Sequence, residues 1–148
     1  ESGDHSIGIP EAIGEIGALA PEQTQPFVSV LMQYAGDEKL VPGILQALGR
    51  IGQQDPSIVE QHLNSIMLAL ESKEPAVFGN AALALVRIGR HRREMEFLLR
   101  DERDVRIFCE GRYRVARICD LAEMESLQSS SFCFISREQE TGPGGKRT

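Results

Sequence analysis

Three segments of the chain share one apolar pattern at a nearly constant spacing. They read IPEAIGEIG at 9–17, ILQALGRIG at 44–52 and AALALVRIG at 81–89, and their closing glycines are 35 and 37 residues apart. Each segment has apolar residues at positions i, i+3, i+4 and i+7, which form one face of an α-helix. The alanine at i+3 allows a neighbouring helix to approach closely, and the closing glycine suits the left-handed residue that ends a helix. The repeat predicts equivalent helices that stack side by side.

A second helix is predicted before each of the later copies. Apolar residues keep helical spacing from Pro26 to Tyr34 and from Asp55 to Leu70. Asp55 followed by Pro56 is typical of a helix start, and Pro75 marks the start of the helix that ends at Gly89. The turns between helices are short, so each pair should be antiparallel. No segment shows a sustained two-residue alternation, and the sequence therefore predicts an all-α chain without strands.

The alternating helical pairs with PxxxxxxAxxALxxIG-like endings resemble HEAT repeats, and more narrowly the short bacterial HEAT-like repeats named after phycobilisome lyases. The resemblance covers roughly residues 7–121. It implies a right-handed α-solenoid, an armadillo-like helical superhelix, of about three to four helical pairs over residues 1–125. It also implies a class of proteins that includes scaffolds, adaptors, a few lyases and a few nucleic-acid enzymes.

Both ends of the array depart from the pattern. Before Ile9 no first helix is predicted, so the chain is expected to begin inside a repeat, as a fragment of a longer solenoid would, and to leave an apolar edge that needs cover. At the other end, a degenerate fourth copy is expected to form a capping repeat, with Arg114 in place of the alanine and Cys119 in place of the glycine. Its apolar positions are Val105, Ile107, Gly111, Val115 and Ile118.

The last part of the chain, residues 126–148, is rich in Ser, Gly and charge, with one apolar island at Phe132–Ile135. Such a composition is typical of a segment without fixed structure. The island leaves a second interpretation open, in which the tail docks on the end of the solenoid.

Charge is distributed unevenly over the 148 residues, whose net charge is −6. Residues 1–85 carry net −8, residues 86–119 carry net +4 from ten arginines and six acids, and the remainder carries −2. The overall acidity argues against wholesale binding of nucleic acid or an anionic membrane. No stretch approaches the ~18 apolar residues of a membrane span. Three cysteines fit a reducing compartment, so a cytoplasmic location is expected.

The arginines supply the candidate binding residues. Arg50, Arg87 and Arg117 each precede the closing isoleucine of a copy, so stacking would place them in a row on the inner, concave side of the solenoid. One interpretation is that each caps its own helix end or pairs with a nearby acid. The other is a ladder for an acidic peptide or a phosphate-bearing partner. On the second interpretation, the predicted partner-binding residues are Arg50, Arg87, Arg90, Arg93, Arg114 and Arg117.

No catalytic or metal-binding constellation is visible in the sequence. The three histidines lie far apart, and Cys109 and Cys119 have no neighbouring histidine that would complete a zinc site. No cofactor is expected. The leading hypothesis is a scaffold or adaptor that presents a curved helical surface to an acidic or extended protein partner. The alternatives are a lyase-like or accessory enzyme subunit, and nucleic-acid binding through the Arg-rich region 87–117, which the interleaved acids disfavour. Self-association through the open solenoid ends is also expected.

Overall fold

The computed structural model describes residues 8–90, 96 and 100–121 of the chain. The predictions for Arg93 and for the tail at 126–148 lie outside these residues. The described part is mostly helical and carries one small β-sheet. Its helices are α1 (Ile9–Leu19), α2 (Gln25–Gln33), α3 (Val41–Gln54), α4 (Pro56–Val59), α5 (Leu63–Ala69) and α6 (Pro75–Ile88).

The three copies of the repeat form α1, α3 and α6, which pack in series and run in the same direction. Each contact is made where a glycine of one helix meets an alanine of the next. A Cβ atom on Gly14 would lie 2.6 Å from the Cα of Ala47, and one on Gly49 would lie 2.8 Å from the Cα of Ala84. No side chain fits at such distances, so the backbones approach as closely as the glycines allow.

Two of the closing glycines do not end their helices, contrary to the sequence prediction. Helix α1 continues past Gly17 to Leu19, and α3 continues past Gly52 to Gln54. A Cβ on Gly17 or Gly52 would meet an isoleucine of the next copy at 2.8 and 2.7 Å respectively. These glycines therefore provide room for packing. Only Gly89 has the left-handed conformation of a helix end, with φ of 81°.

The helices predicted before the second and third copies of the repeat are present. Helix α2 matches the predicted segment at 26–34 except for the last residue, and most of the segment at 55–70 forms α4 and α5, joined by a 3₁₀ turn at Glu60–His62. The Asp55 carboxylate accepts a hydrogen bond from the Ser57 amide at 3.1 Å and so caps α4 as predicted. Apolar residues of these helices meet the repeat helices in one core, whose largest fully buried members include Leu48, Ile51, Ile66, Leu83 and Leu85.

The predicted fourth helical copy is wrong, because this segment forms a β-hairpin. Strand β1 (Asp104–Cys109) pairs antiparallel with β2 (Arg112–Arg117), and a 3₁₀ turn at Ile118–Asp120 follows. Val105, Ile107 and Cys109 alternate with more exposed residues and point into the core. The alternation of apolar residues was missed in the sequence because Val105, Ile107, Val115 and Ile118 can also be matched to the helical repeat. The chain is therefore not all-α.

The turn between the strands explains why the segment folds back on itself. Glu110 and Gly111 connect the strands with φ of 55° and 81°. A two-residue hairpin turn of this type needs positive φ at both positions and matches the twist of the flanking strands. The Glu-Gly pair after three alternating apolar residues was the sequence signal for the hairpin.

The glycine contacts are testable by substitution. We expect Gly49→Ala to lower the free energy of unfolding by roughly 1–3 kcal/mol, because its Cβ would force α3 and α6 apart. Helix propensity alone would act in the opposite direction by up to about 1 kcal/mol. Urea unfolding measures the difference. Gly36→Ala is the control, since nothing lies within 4 Å of the added atom; equal stability of the two variants would contradict the close packing.

Candidate functional site: the hairpin face and the open apolar face

Arg50 joins two copies of the repeat. Its guanidinium donates to both carboxylate oxygens of Glu15, at 2.9 and 3.0 Å, and to Gln53 at 2.7 Å. Glu15 occupies in the first copy the position that Arg50 occupies in the second. A bidentate salt bridge of this kind fixes the orientation of both side chains. Arg50 thus holds α3 against α1.

Arg87, the next residue in the predicted row, is buried. Its Nη1 donates to Gln46 Oε1 at 2.9 Å, and its Nη2 donates to the Phe108 carbonyl at 3.4 Å. The first bond links α6 to α3, and the second links α6 to β1. The face predicted to bind a partner is therefore covered at Arg87 by the chain's own hairpin.

The other predicted arginines that the structure describes, Arg90, Arg114 and Arg117, lie on the surface and do not continue the row. Arg90 pairs with Glu60 at 3.1 Å, and Arg114 lies 3.9 Å from Glu110. Arg117 is on β2 instead of a helix, and it pairs with Asp120 at 3.3 Å. The row of Arg50, Arg87 and Arg117 is absent because the last of them belongs to a strand. That the exposed arginines bind a partner stays a prediction.

Two side chains of α6 bind the outer edge of β1. Asn80 donates to the Arg106 carbonyl at 3.2 Å, and Arg87 donates to the Phe108 carbonyl. Asn80 and Arg87 are seven residues apart, so they lie two turns apart on one face of the helix. A Cβ on Gly79 would lie 2.7 Å from Val105, so the strand also packs directly on the helix. The hairpin is held along its length by α6.

Glu11 is a buried residue whose carboxyl group lies on the side of the helices that faces the hairpin. It lies in the first turn of α1 and faces Gly43 of α3, where a Cβ would come within 2.7 Å of its Oε2. Burial raises its pKa above the ordinary value of 4.5, and its own backbone amide, Tyr113 and Arg106 oppose that rise. Its Oε1 has no hydrogen-bond partner among the described residues.

The hairpin reaches Glu11 through Tyr113. The Tyr113 hydroxyl lies near the Glu11 carboxylate without meeting hydrogen-bond geometry, and burial followed by the charge of Glu11 raises its pKa. The Arg106 guanidinium lies 3.9 Å from the centre of the Tyr113 ring. Such a cation over an aromatic face is attractive. Through this cluster the hairpin contacts α1 as well as α6.

A different surface remains open at the start of the helical series. Ile9 and Ile16 of α1 are 53% and 66% exposed, whereas their equivalents Ile44 and Ile51 in α3 are 2% and 0% exposed. Helix α1 covers the α3 residues, but no described segment covers α1. The neighbouring exposed apolar residues are Leu19, Phe27, Val30 and Tyr34. We call this surface, from Ile9 to Leu19 on α1 and from Phe27 on α2 to Tyr34 at the C-cap of α2, the open face.

The open face contains a groove of about 310 Å³ between α1, α2 and α3. Its lining is almost entirely apolar and consists of Ile9, Pro10, Ile13, Val30, Leu31, Tyr34, Leu40 and Ile44. A groove without converging polar or titratable side chains is better suited to binding apolar side chains of a partner than to catalysis.

No cluster of three or more His, Cys, Asp or Glu side chains that could hold a metal ion occurs in the described part of the chain. Among the same residues, none of the helices has both the length and the apolar character needed to cross a membrane. Cys109 and Cys119 form no disulfide with a described residue. A cytoplasmic location stays a prediction.

Comparisons of the chain with protein-family models, with curated proteins and with solved structures found no match.

Arg87 can be tested as a structural residue. We expect Arg87→Gln to lower the free energy of unfolding by roughly 1–3 kcal/mol, since the shorter side chain cannot replace the guanidinium bonds to the buried Gln46 acceptor and to the partly buried Phe108 carbonyl. Arg90→Gln, which removes an exposed pair, should cost no more than about 1 kcal/mol. Thermal and urea unfolding measure both. Equal effects would mean that Arg87 does not hold the hairpin.

Glu11 should make stability depend on pH. Because its pKa is raised in the folded state, the folded protein takes up a proton before the unfolded chain does, and stability rises as pH falls towards the ordinary value of 4.5. Glu11→Gln should therefore raise the free energy of unfolding at pH 7, by an amount that shrinks as pH approaches 4.5. Unfolding of both proteins between pH 4.5 and 8 measures the difference, with the exposed Glu22→Gln as control. A pH-independent difference would contradict a titrating Glu11.

Proposed function

We propose that the protein is a HEAT-like α-solenoid, right-handed as that resemblance implies, which binds a helical segment of another protein through its open face. In this function it makes and breaks no covalent bond. The observation that carries the proposal is the exposure of Ile9, Ala12 and Ile16 at positions that are buried in the next two copies. Exposed apolar surface that is contiguous and grooved marks interaction sites in soluble proteins.

The inner copies indicate which kind of partner fits. In each of them, the alanine equivalent to Ala12 contacts a glycine in the helix of the preceding copy: Ala47 contacts Gly14, and Ala84 contacts Gly49. The flanking isoleucines are then buried. A partner helix with a glycine or alanine at the contact position can reach Ala12 in the same way and cover Ile9 and Ile16. Apolar side chains of the partner, three or four residues apart, would fill the groove.

Head-to-tail self-association fits the described residues less well than a separate partner does. The far end of the helical series is occupied, because β1 packs on α6 through Val105 and Gly79. A second copy would find no equivalent free helix face there. The opposite net charges of residues 1–85 and 86–119 would attract two copies head to tail, but no described helix at the far end offers an apolar face that matches the open face.

The arginines of the predicted ladder do not form a row on one face. Arg87 and Arg50 are used within the chain, and Arg117 is on the hairpin. The proposed binding surface of the scaffold is therefore the open face.

The open face can be tested with two matched variants. Ile16→Asp places a charge on the face, and Leu68→Asp places the same charge on α5, at a residue that is 65% exposed compared with 66% for Ile16. Since both side chains are exposed, each variant should unfold within about 0.5 kcal/mol of the wild type. Affinity purification with quantitative mass spectrometry should recover proteins that the wild type and Leu68→Asp retain and that Ile16→Asp loses at least fivefold.

Two outcomes would contradict the proposal. In one, no retained protein depends on Ile16. In the other, light scattering shows a dimer that Ile16→Asp converts to a monomer, in which case a second copy covers the open face.

A further inference from the structure

We propose that the outer edge of strand β2 binds an acidic, extended peptide by strand addition. The observation is a rigidly held hairpin with one edge occupied by the chain's own side chains and the other edge free in the described part of the chain. This site is separate from the open face on α1 and α2.

The register of the hairpin determines which backbone groups point outward. The Ile118 amide donates to the Arg103 carbonyl at 2.9 Å, which makes Arg103 and Ile118 a hydrogen-bonded pair. Hydrogen-bonded and non-bonded pairs alternate along an antiparallel ladder. The pair Arg106↔Val115 is therefore non-bonded, and its backbone groups point away from the partner strand. On β2 the outward residues are Tyr113, Val115 and Arg117.

The outward backbone groups of the two hairpin edges differ in their hydrogen-bond partners. On β1 the outward carbonyls of Arg106 and Phe108 accept hydrogen bonds from Asn80 and Arg87 of α6. On β2 no other strand of the described chain pairs with the outward groups, since the sheet has only the two strands. Val115 is 70% exposed. An exposed strand edge of this kind is a template for a further strand.

The side chains of β2 indicate the charge of the partner. The strand reads RYRVAR, with three arginines and no acid, and all three arginines are exposed. Arg114 and Arg117 have acidic neighbours at 3.9 and 3.3 Å, whereas no ion pair of Arg112 is seen among the described residues. Opposite charges across neighbouring strands are stabilising. A second copy of β2 would add three more arginines to this edge, so the fitting occupant is an acidic strand.

The hairpin is suited to this role because it cannot move freely. Val105, Ile107 and Cys109 anchor β1 in the core, and Asn80 and Arg87 bind its outer edge. Strand addition to a preorganised edge costs less ordering entropy than pairing with a mobile segment does. The partner supplies main-chain hydrogen bonds to Val115 and Arg117, and its acidic side chains lie beside Arg112 and Arg114.

The test uses the full chain and a labelled eight-residue peptide of alternating glutamate and threonine, with lysine in place of glutamate as the control peptide. Fluorescence anisotropy at low salt should show binding of the acidic peptide, at least tenfold weaker binding of the lysine peptide, and a loss of affinity at high salt. Amide hydrogen exchange by NMR should show new protection at Val115 and Arg117. Arg114 and Ala116, whose amides face β1, should already be protected before the peptide is added.

Variants separate strand addition from simple charge attraction. Val115→Pro removes an outward amide and keeps the ladder with β1, so it should weaken binding at least tenfold, whereas Val115→Ala should stay within twofold. Arg112→Glu should weaken binding at least fivefold. Arg90→Glu makes the same charge change away from the edge and should stay within twofold. The exchange rates of the β1 amides show that each hairpin is intact.

Three results would overturn the proposal: no binding of the acidic peptide, binding that Val115→Pro leaves unchanged, or Val115 and Arg117 amides already protected in the free chain. The last would mean that another segment of the chain pairs with this edge. Ile16→Asp should not affect peptide binding, so the failure of this site and of the open face can be distinguished.

Discussion

The structure depends on the close approach of helix backbones at two glycine–alanine contacts. Gly14 against Ala47 and Gly49 against Ala84 occur at the same positions of successive copies, and neither leaves room for a Cβ on the glycine. Because the contacts repeat, α1, α3 and α6 are held in one series with a common direction. The same repetition explains the open face: α1 presents the residues that receive a glycine, and no described helix supplies one.

The hairpin closes the series with polar contacts as well as apolar ones. Burial of Asn80 and Arg87 without partners would be costly, and the outward carbonyls of β1 accept hydrogen bonds from both, in addition to the bonds of Asn80 to the Ala76 carbonyl and of Arg87 to Gln46. Glu11 and Tyr113 form the less satisfied part of the same surface, since neither the Glu11 Oε1 nor the Tyr113 hydroxyl has a hydrogen-bond partner among the described residues. Among the described residues, the result is a helical array in which the hairpin covers α6, no segment covers α1, and no strand pairs with the outer edge of β2.

Much of the helical part could be predicted from the sequence, because its signals are local. The i, i+3, i+4, i+7 pattern places α1, α3 and α6, and Asp55 and Pro75 mark two helix starts. The hairpin was missed because Val105, Ile107 and Val115 were matched to a helical template, although Glu110-Gly111 is a turn signal. The burial of Arg87 could not be read from the repeat, since it depends on a carbonyl 21 residues away in the hairpin. An uncovered apolar edge at the first copy was expected from the repeat pattern, whereas the β2 edge required the register of the strands.

The glycine–alanine contacts can be measured directly by nuclear Overhauser spectroscopy on the isotopically labelled full chain. A Cβ atom placed on Gly14 or Gly49 would lie only 3.0 Å from the Cβ of Ala47 or Ala84. The α-protons of the two glycines therefore lie close to the methyl groups of these alanines. The account predicts strong cross-peaks for both pairs, at equal intensity in the wild type and in Leu68→Asp. Resolved signals without a cross-peak at either pair would contradict the stacking of α1, α3 and α6, and with it the origin of the open face.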